Sequence, residues 1–154
     1  MSRVIGVDPG ASGAIALVVD GFLHQVVDMP TVTVTRNASQ KRQVSPAGVA
    51  DIIRSMKPDV AIVEKVGAMP GQGVSSMFSF GRSVGIIEGA LAALQVPTTF
   101  ITPQAWQKAI GSAKGKDGSR QRCMELFPRD SHLFARVKDD GRADAVLIAL
   151  AGAL

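Results

Sequence analysis

The sequence predicts an α/β domain built on a mixed five-stranded sheet with helices on both faces. Three observations predict it. Short apolar runs bounded by turn residues open the chain and return in its middle. Other segments carry apolar residues at helical spacing. The order is antiparallel strands first and then alternating helices and strands, which leaves an open rim at the carboxyl ends of the central strands.

Residues 3–7 read as a buried strand that Asp8-Pro9-Gly10 breaks. Ala14–Val19 is a second strand, Asp20-Gly21 a hairpin turn and Phe22–Asp28 a third strand, so the chain opens as an antiparallel meander. Residues 30–45 are polar and basic. Their Thr/Val alternation over 31–35 suits an extension of the third strand, and the remainder reads as a mobile loop. Pro46–Met56 is a helix with Ser45 as N-cap and Pro46 in its first position, closed by Pro58. A buried strand over 59–63 runs into Glu64, and residues 67–73 have the Gly, Pro and Met content of a flexible loop.

The next helix, 75–94, places Phe80, Val84, Ile87, Leu91 and Leu94 on one face. Gly81, Gly85 and Gly89 form a second stripe. Each costs a helix about 1 kcal/mol relative to Ala, which predicts a close approach by the sheet or by another subunit. Residues 97–101 form a fifth strand, and Thr102-Pro103 start a short helix through Ile110, with Trp106 read as a packing residue. A basic loop over 111–118 precedes a helix to Phe127, which Pro128 ends. The last helix starts near Asp139 or Asp140 and turns Ala143, Val146, Leu147, Leu150 and Leu154 to the core.

A chain of 154 residues predicts one domain over residues 1–154 and excludes many two-lobed enzymes. With 46% apolar and 19% charged residues it should pack rather than stay disordered. The formal charge of +4 suits a polyanionic partner without identifying one. One cysteine, Cys123, forbids an intramolecular disulfide, fits a reducing compartment and reads as a core thiol. There is no leader ahead of the first strand and no apolar run near the roughly 20 residues that cross a bilayer, so the expectation is a cytoplasmic protein that does not enter membranes.

Chemistry is concentrated in the acids. Asp8 and Glu64 each end a predicted central strand and so belong to the same rim, although singly each is an ordinary turn residue. Asp140 and Asp144 are four residues apart and project from one helical face, where Asp139 and Asp140 could equally cap the helix. Carboxylates brought together repel unless a cation joins them, and Mg²⁺ takes a few carboxylates with waters and phosphate oxygens. Two such ions about 4 Å apart would serve an in-line phosphoryl displacement. Two histidines, His24 and His132, and a distant cysteine make no zinc site.

These motifs resemble the RuvC-like Holliday-junction resolvases of the RNase H-like superfamily over nearly the whole chain. VIGVDPG resembles the family's first strand with its metal-binding Asp, here Asp8, and VAIVEKV the strand ending in its metal-binding Glu, here Glu64. MFSFGRSVGIIEGAL resembles the next helix, and GRADAVLIAL the terminal motif that assigns Asp144. Bacterial members place their remaining acid or His three residues before that Asp, where this chain has Gly141. Asp140, four before, takes the role by helix geometry, with Asp139 as substitute.

The resemblance implies an RNase H-like fold and a Mg²⁺-dependent endonuclease, with Mn²⁺ able to substitute and two ions per active site. It also implies a homodimer that nicks two opposed strands of a four-way DNA junction, in the cytoplasm of a bacterium or a phage-infected host cell. A stacking aromatic of the loop after the Glu is Gly67 here, which leaves Met69 or Phe78 to approach the junction. Lys114, Lys116, Arg120 and Arg122 form one basic group that could hold phosphates, and Arg36, Lys41 and Arg42 another. Lys116 is the candidate for stabilising charge on the reacting phosphate.

Three other readings stay open. The strand–Asp–Gly hairpin VDPGASGAIAL resembles the phosphate loop of actin-like and sugar-kinase-like nucleotide-binding domains, whose second lobe this length does not accommodate. A non-catalytic junction-binding protein and an RNase H-like nuclease for hybrids or flaps are the others.

Overall fold

The computed structural model describes residues 2–68, 70–111, 115 and 117–154. Five strands form one sheet: β1 (Arg3–Asp8), β2 (Ala14–Val19), β3 (Phe22–Asp28), β6 (Val60–Glu64) and β7 (Thr98–Ile101), in the order β3-β2-β1-β6-β7. The first three make the expected antiparallel meander, and β6 and β7 add parallel to β1. Asp20 and Gly21 both take positive φ, 51° and 83°, the conformation a two-residue hairpin turn needs where Val19 pairs with Phe22.

The two faces of the sheet carry different helices, and the alternation of β1 decides which side chains meet which. Ile5 and Val7 join the core beneath α1 (Pro46–Met56) and α2 (Val74–Ala93), with Val49, Ile53, Ile87 and Leu91. Val4 joins the opposite core, where Trp106 of α3 (Pro103–Ile110), Cys123 of α4 (Gly118–Leu126) and Ala143, Val146 and Leu147 of α5 (Asp140–Ala153) lie. Two short 3-10 turns, Pro128–Phe134 and Val137–Asp139, lead into α5.

Gly6 is the reason α5 can lie directly on β1. A Cβ at Gly6 would collide with the backbone of Ala145 and Ala149. Neither backbone can yield without lifting the helix, so Gly6→Ala is expected to cost about 1–3 kcal/mol, read as a lower urea midpoint.

Helix boundaries follow the caps in the sequence. Ser45 Oγ accepts the Gly48 N–H at 3.1 Å and Thr102 Oγ1 that of Ala105 at 3.2 Å, each ahead of a proline in the first turn.

Two expectations are corrected. Residues 30–45 are not a strand extension and a loop but a separate hairpin, β4 (Thr31–Arg36) with β5 (Ser39–Val44), turning on Asn37 and Ala38 at φ 49° and 64°. Among the described residues its strands pair only with each other. The glycine stripe of α2 receives nothing from the sheet: a Cβ at Gly81, Gly85 or Gly89 would meet open space. The helix instead buries Ser83, Ile87 and Leu91. Among the described residues no helix is long and apolar enough to cross a membrane.

Candidate active site

Strand register brings the first two acids together. Val7 pairs with Val63 across parallel strands, so Asp8 and Glu64, one residue further along each, end side by side. The period of two puts Asp8 on the face of Val4 and Glu64 on the face of Ile62, and both of those belong to the α5 core. Helix α5 then supplies Asp140 in its first turn and Asp144 one turn later.

Gly141 lets α5 come that close. A Cβ there would stand 2.5 Å from the Ser12 carbonyl oxygen and 3.4 Å from Asp8 Oδ2. No side chain fits at this position, which gives a physical reason for an acid at 140 rather than 141. Asp140 Oδ1 accepts the Gly141 N–H at 2.9 Å, so this carboxylate also braces the helix start.

Electrostatics record the convergence. Burial pushes the Asp8 carboxyl well above the usual range, and the charges of Asp144, Glu64 and Asp140 push it further. Asp144 is raised to about 6 by burial and by Glu64 and Asp140, against the lowering effect of a hydrogen bond from Ser119. Glu64 is raised by burial, partly offset by a hydrogen bond from Trp106. Among the described residues no Lys or Arg contributes to the shift at any of these three acids.

Among the described residues no three acidic, His or Cys side chains stand close enough to cage an ion unaided. The donors nevertheless suit a hard cation: every one is a carboxylate oxygen, and Mg²⁺ keeps several waters and completes its shell with substrate phosphate. Cys123 stays out of this chemistry. Its thiol is buried, donates to the Ala143 carbonyl at 3.5 Å and has its pKa raised, chiefly by desolvation.

Asp139 is not available as a substitute ligand. It is 1% exposed, accepts from Arg136 at Nη2 (2.9 Å) and at the backbone N–H (2.9 Å), and stands 3.7 Å from Arg142. Arg142 in turn grips Asp28 with Nε at 2.8 Å and Nη2 at 3.0 Å. This chain of ion pairs ties the first turn of α5 to the end of β3.

The expected basic group divides. Arg120 is corrected: it is buried, and its guanidinium donates to the carbonyls of Phe134 and Ala135 and to Asp117 Oδ1 at 2.7 Å, so it braces the protein instead of facing a phosphate. Arg122 is half-buried, donating to the Ile110 carbonyl and to Glu125. Lys114, Lys116 and Met69 lie outside the described residues.

Sequence reasoning missed one contact of consequence. Trp106 is a packing residue, as expected, but its Nε1–H also donates to Glu64 Oε2 at 2.7 Å. A tryptophan on an apolar helix face gives no sign of which carboxylate its one polar atom will meet. Its position shortly after the strand parallel to β6 is the only available clue.

Comparison with known proteins points to one family. A family model described as crossover junction endodeoxyribonuclease RuvC matches residues 4–152. A protein of that name from Saccharopolyspora erythraea is 32% identical, covering 96% of this chain and 75% of its own. One from Rhizobium etli is 29% identical, covering 96% and 87%. The solved structure "T. thermophilus RuvC in complex with Holliday junction substrate" superposes with a TM-score of 0.61 at 22% identity, over 99% of this chain and 93% of that one. The fold is thus the RNase H-like one that the motifs implied. By the extent of the family match and by the identity to its relatives, the chain belongs to the RuvC family of crossover junction endodeoxyribonucleases.

Proposed function

We propose that this chain is a divalent-metal-dependent endonuclease that resolves four-way DNA junctions by paired symmetric nicks, acting as a homodimer with two Mg²⁺ or Mn²⁺ ions per active site. The observation that carries this reading is the acid cluster. Strand register sets Asp8 beside Glu64 and α5 brings Asp140 and Asp144 to the same rim, where the charges of Glu64, Asp140 and Asp144 all raise the proton affinity of Asp8 and no basic side chain among the described residues offsets them. Substrate class is carried over from the names of the two relatives. The open glycine stripe of α2, which none of the described residues approaches, supports a second subunit there.

Asp8, Glu64, Asp140 and Asp144 would hold the ions, which when bound supply activation of the attacking water and charge for the leaving oxygen. The chain's own part is positioning. Asp8 and Glu64 are fixed by paired strands, Glu64 further by Trp106, Asp144 by Ser119, and the start of α5 by the Arg136–Asp139–Arg142–Asp28 chain. Lys116 remains the candidate for stabilising charge on the reacting phosphate, and Lys114, Arg122 and Met69 remain candidates for DNA contact. Arg120 leaves that group.

The deciding experiment sets a four-way junction, an RNA–DNA hybrid and a plain duplex side by side, each with Mg²⁺ and with EDTA. Junction-specific, symmetric nicking that EDTA stops is the expected result, with a dimer by sedimentation. Preference for the hybrid would transfer the site to another RNase H-like activity. Junction binding without any cleavage would leave only a binding protein.

Trp106→Phe tests the indole's role separately from its bulk. The phenyl ring keeps most of the packing and loses the donor, so Glu64 is held less firmly. We expect the Mg²⁺ concentration for half-maximal cleavage to rise roughly 10-fold, the scale of lost support behind a metal ligand, with the circular dichroism spectrum unchanged.

A further inference from the structure

The β4–β5 hairpin and the first half of α2 enclose a groove of about 1330 Å³ that no part of the proposed chemistry uses. Its lining includes Gly10 and Ser12, in the turn that directly follows Asp8, and the Ser12 carbonyl stands against Gly141 of α5, next to Asp140. Arg36 and Lys41 line the hairpin wall, and Arg82 and Phe78 the helix wall. Arg42 Nη2 donates to Ser12 Oγ at 3.2 Å and so ties the hairpin to the floor.

Among the described residues the lining holds three cationic side chains and no carboxylate, with most of the rest hydroxyl, amide or small. Next to a cluster of acids this is a sharp reversal of charge, and it suits a ligand carrying repeated negative charges. The volume exceeds the roughly 300–1,000 Å³ that takes one small ligand, so it has room for more than a mononucleotide. Phe78 is 72% exposed on the helix wall, where an unpaired base could stack on its ring.

We infer that this groove binds one single-stranded DNA segment, its phosphates on Arg36, Lys41 and Arg82 and a base on Phe78, and leads that strand past Ser12 to the acid cluster. The hairpin is then a strand clamp. It is built for that position: its core contribution is small, with Val44 its only buried residue, and its strands bond only to each other. The direction of travel rests on the nuclease reading, whereas the binding does not.

The test measures binding without cleavage. Fluorescence anisotropy of a labelled oligothymidylate, with the full chain in EDTA, is compared for wild type, Arg36→Ala/Lys41→Ala, Arg82→Ala and Phe78→Ala. Arg54→Ala, a cation on α1 outside the groove, is the control. The double variant should bind at least 10-fold more weakly, with a salt slope shallower by about 1.4, the share of two phosphate contacts on a single strand. Phe78→Ala should lose about 5-fold or more, with an unchanged slope. Wild-type affinity in all three groove variants would overturn the inference, as would losses confined to duplex DNA or matched by Arg54→Ala.

Failure of this inference and failure of the nuclease reading are separable. Oligothymidylate binding that the groove variants lose, in a protein whose wild type never cuts junctions, leaves the groove standing and removes the nuclease. Normal junction cutting with unaltered single-strand binding in the variants does the reverse. Circular dichroism checks that each variant folds, and because Arg82→Ala and Phe78→Ala lie on α2, the result does not depend on the hairpin alone.

Discussion

Asp8→Asn is expected to abolish junction cleavage, by about 10³-fold or more, while junction binding stays within a few-fold of wild type. The amide has nearly the same shape, so the strand end and the turn through Ser12 need not move. What changes is charge: burial and the other three acids all act on Asp8. Without its carboxylate the rim would hold a divalent ion more weakly, and the loss should persist at high Mg²⁺. In EDTA the same substitution should raise the melting temperature, because it removes a desolvated charge facing three like charges. A variant that is inactive but also less stable without metal would point to misfolding and would leave the carboxylate's role unsupported. Cleavage at a rate comparable to wild type would remove Asp8 from the chemistry.

Much of this site was legible because local rules carried it. A short apolar run ending in an acid places Asp8 and Glu64 at strand ends, and a four-residue spacing places Asp140 and Asp144 on one helical face. Strand register, a long-range property, then decides whether they meet. Other parts depended on contacts that no local pattern encodes. Asp139 and Asp140 are neighbours of the same type, yet Arg136 and Arg142 take up one and leave the other at the cluster. Arg120 has the sequence surroundings of a phosphate ligand but is drawn inward by the carbonyls of Phe134 and Ala135. The β4–β5 hairpin was hidden by its turn: Asn37 suits positive φ, but Ala38 at 64° does not, so the usual Asn-Gly signature is absent.

Acidification should move stability and activity in opposite directions. Asp144 ionises at about 6 in the folded protein against an ordinary value of 3.8, so between those values the folded state binds more protons than the unfolded chain. Its effect on the metal-free protein is therefore a stability present below pH 3.8 and lost as pH rises through 6, about 3 kcal/mol over the whole window. Going from pH 7.5 to 5 recovers about half of this, or roughly 3–6 °C in melting temperature, and the raised carboxyls of Asp8 and Glu64 add in the same direction. Asp28 and Asp139 act in the opposite sense, but their lowered pKa values confine that loss to pH below about 3.8. Protons compete with metal for the same oxygens, so at limiting Mg²⁺ cleavage should fall roughly 10- to 100-fold per pH unit below 6, as one or two protons are displaced on binding. Thermal melts in EDTA and Mg²⁺ titrations of cleavage at several pH values measure the two trends. A metal-free protein that loses stability on going from pH 7.5 to 5, or a Mg²⁺ requirement indifferent to pH, would mean that the four acids do not form one electrostatic unit.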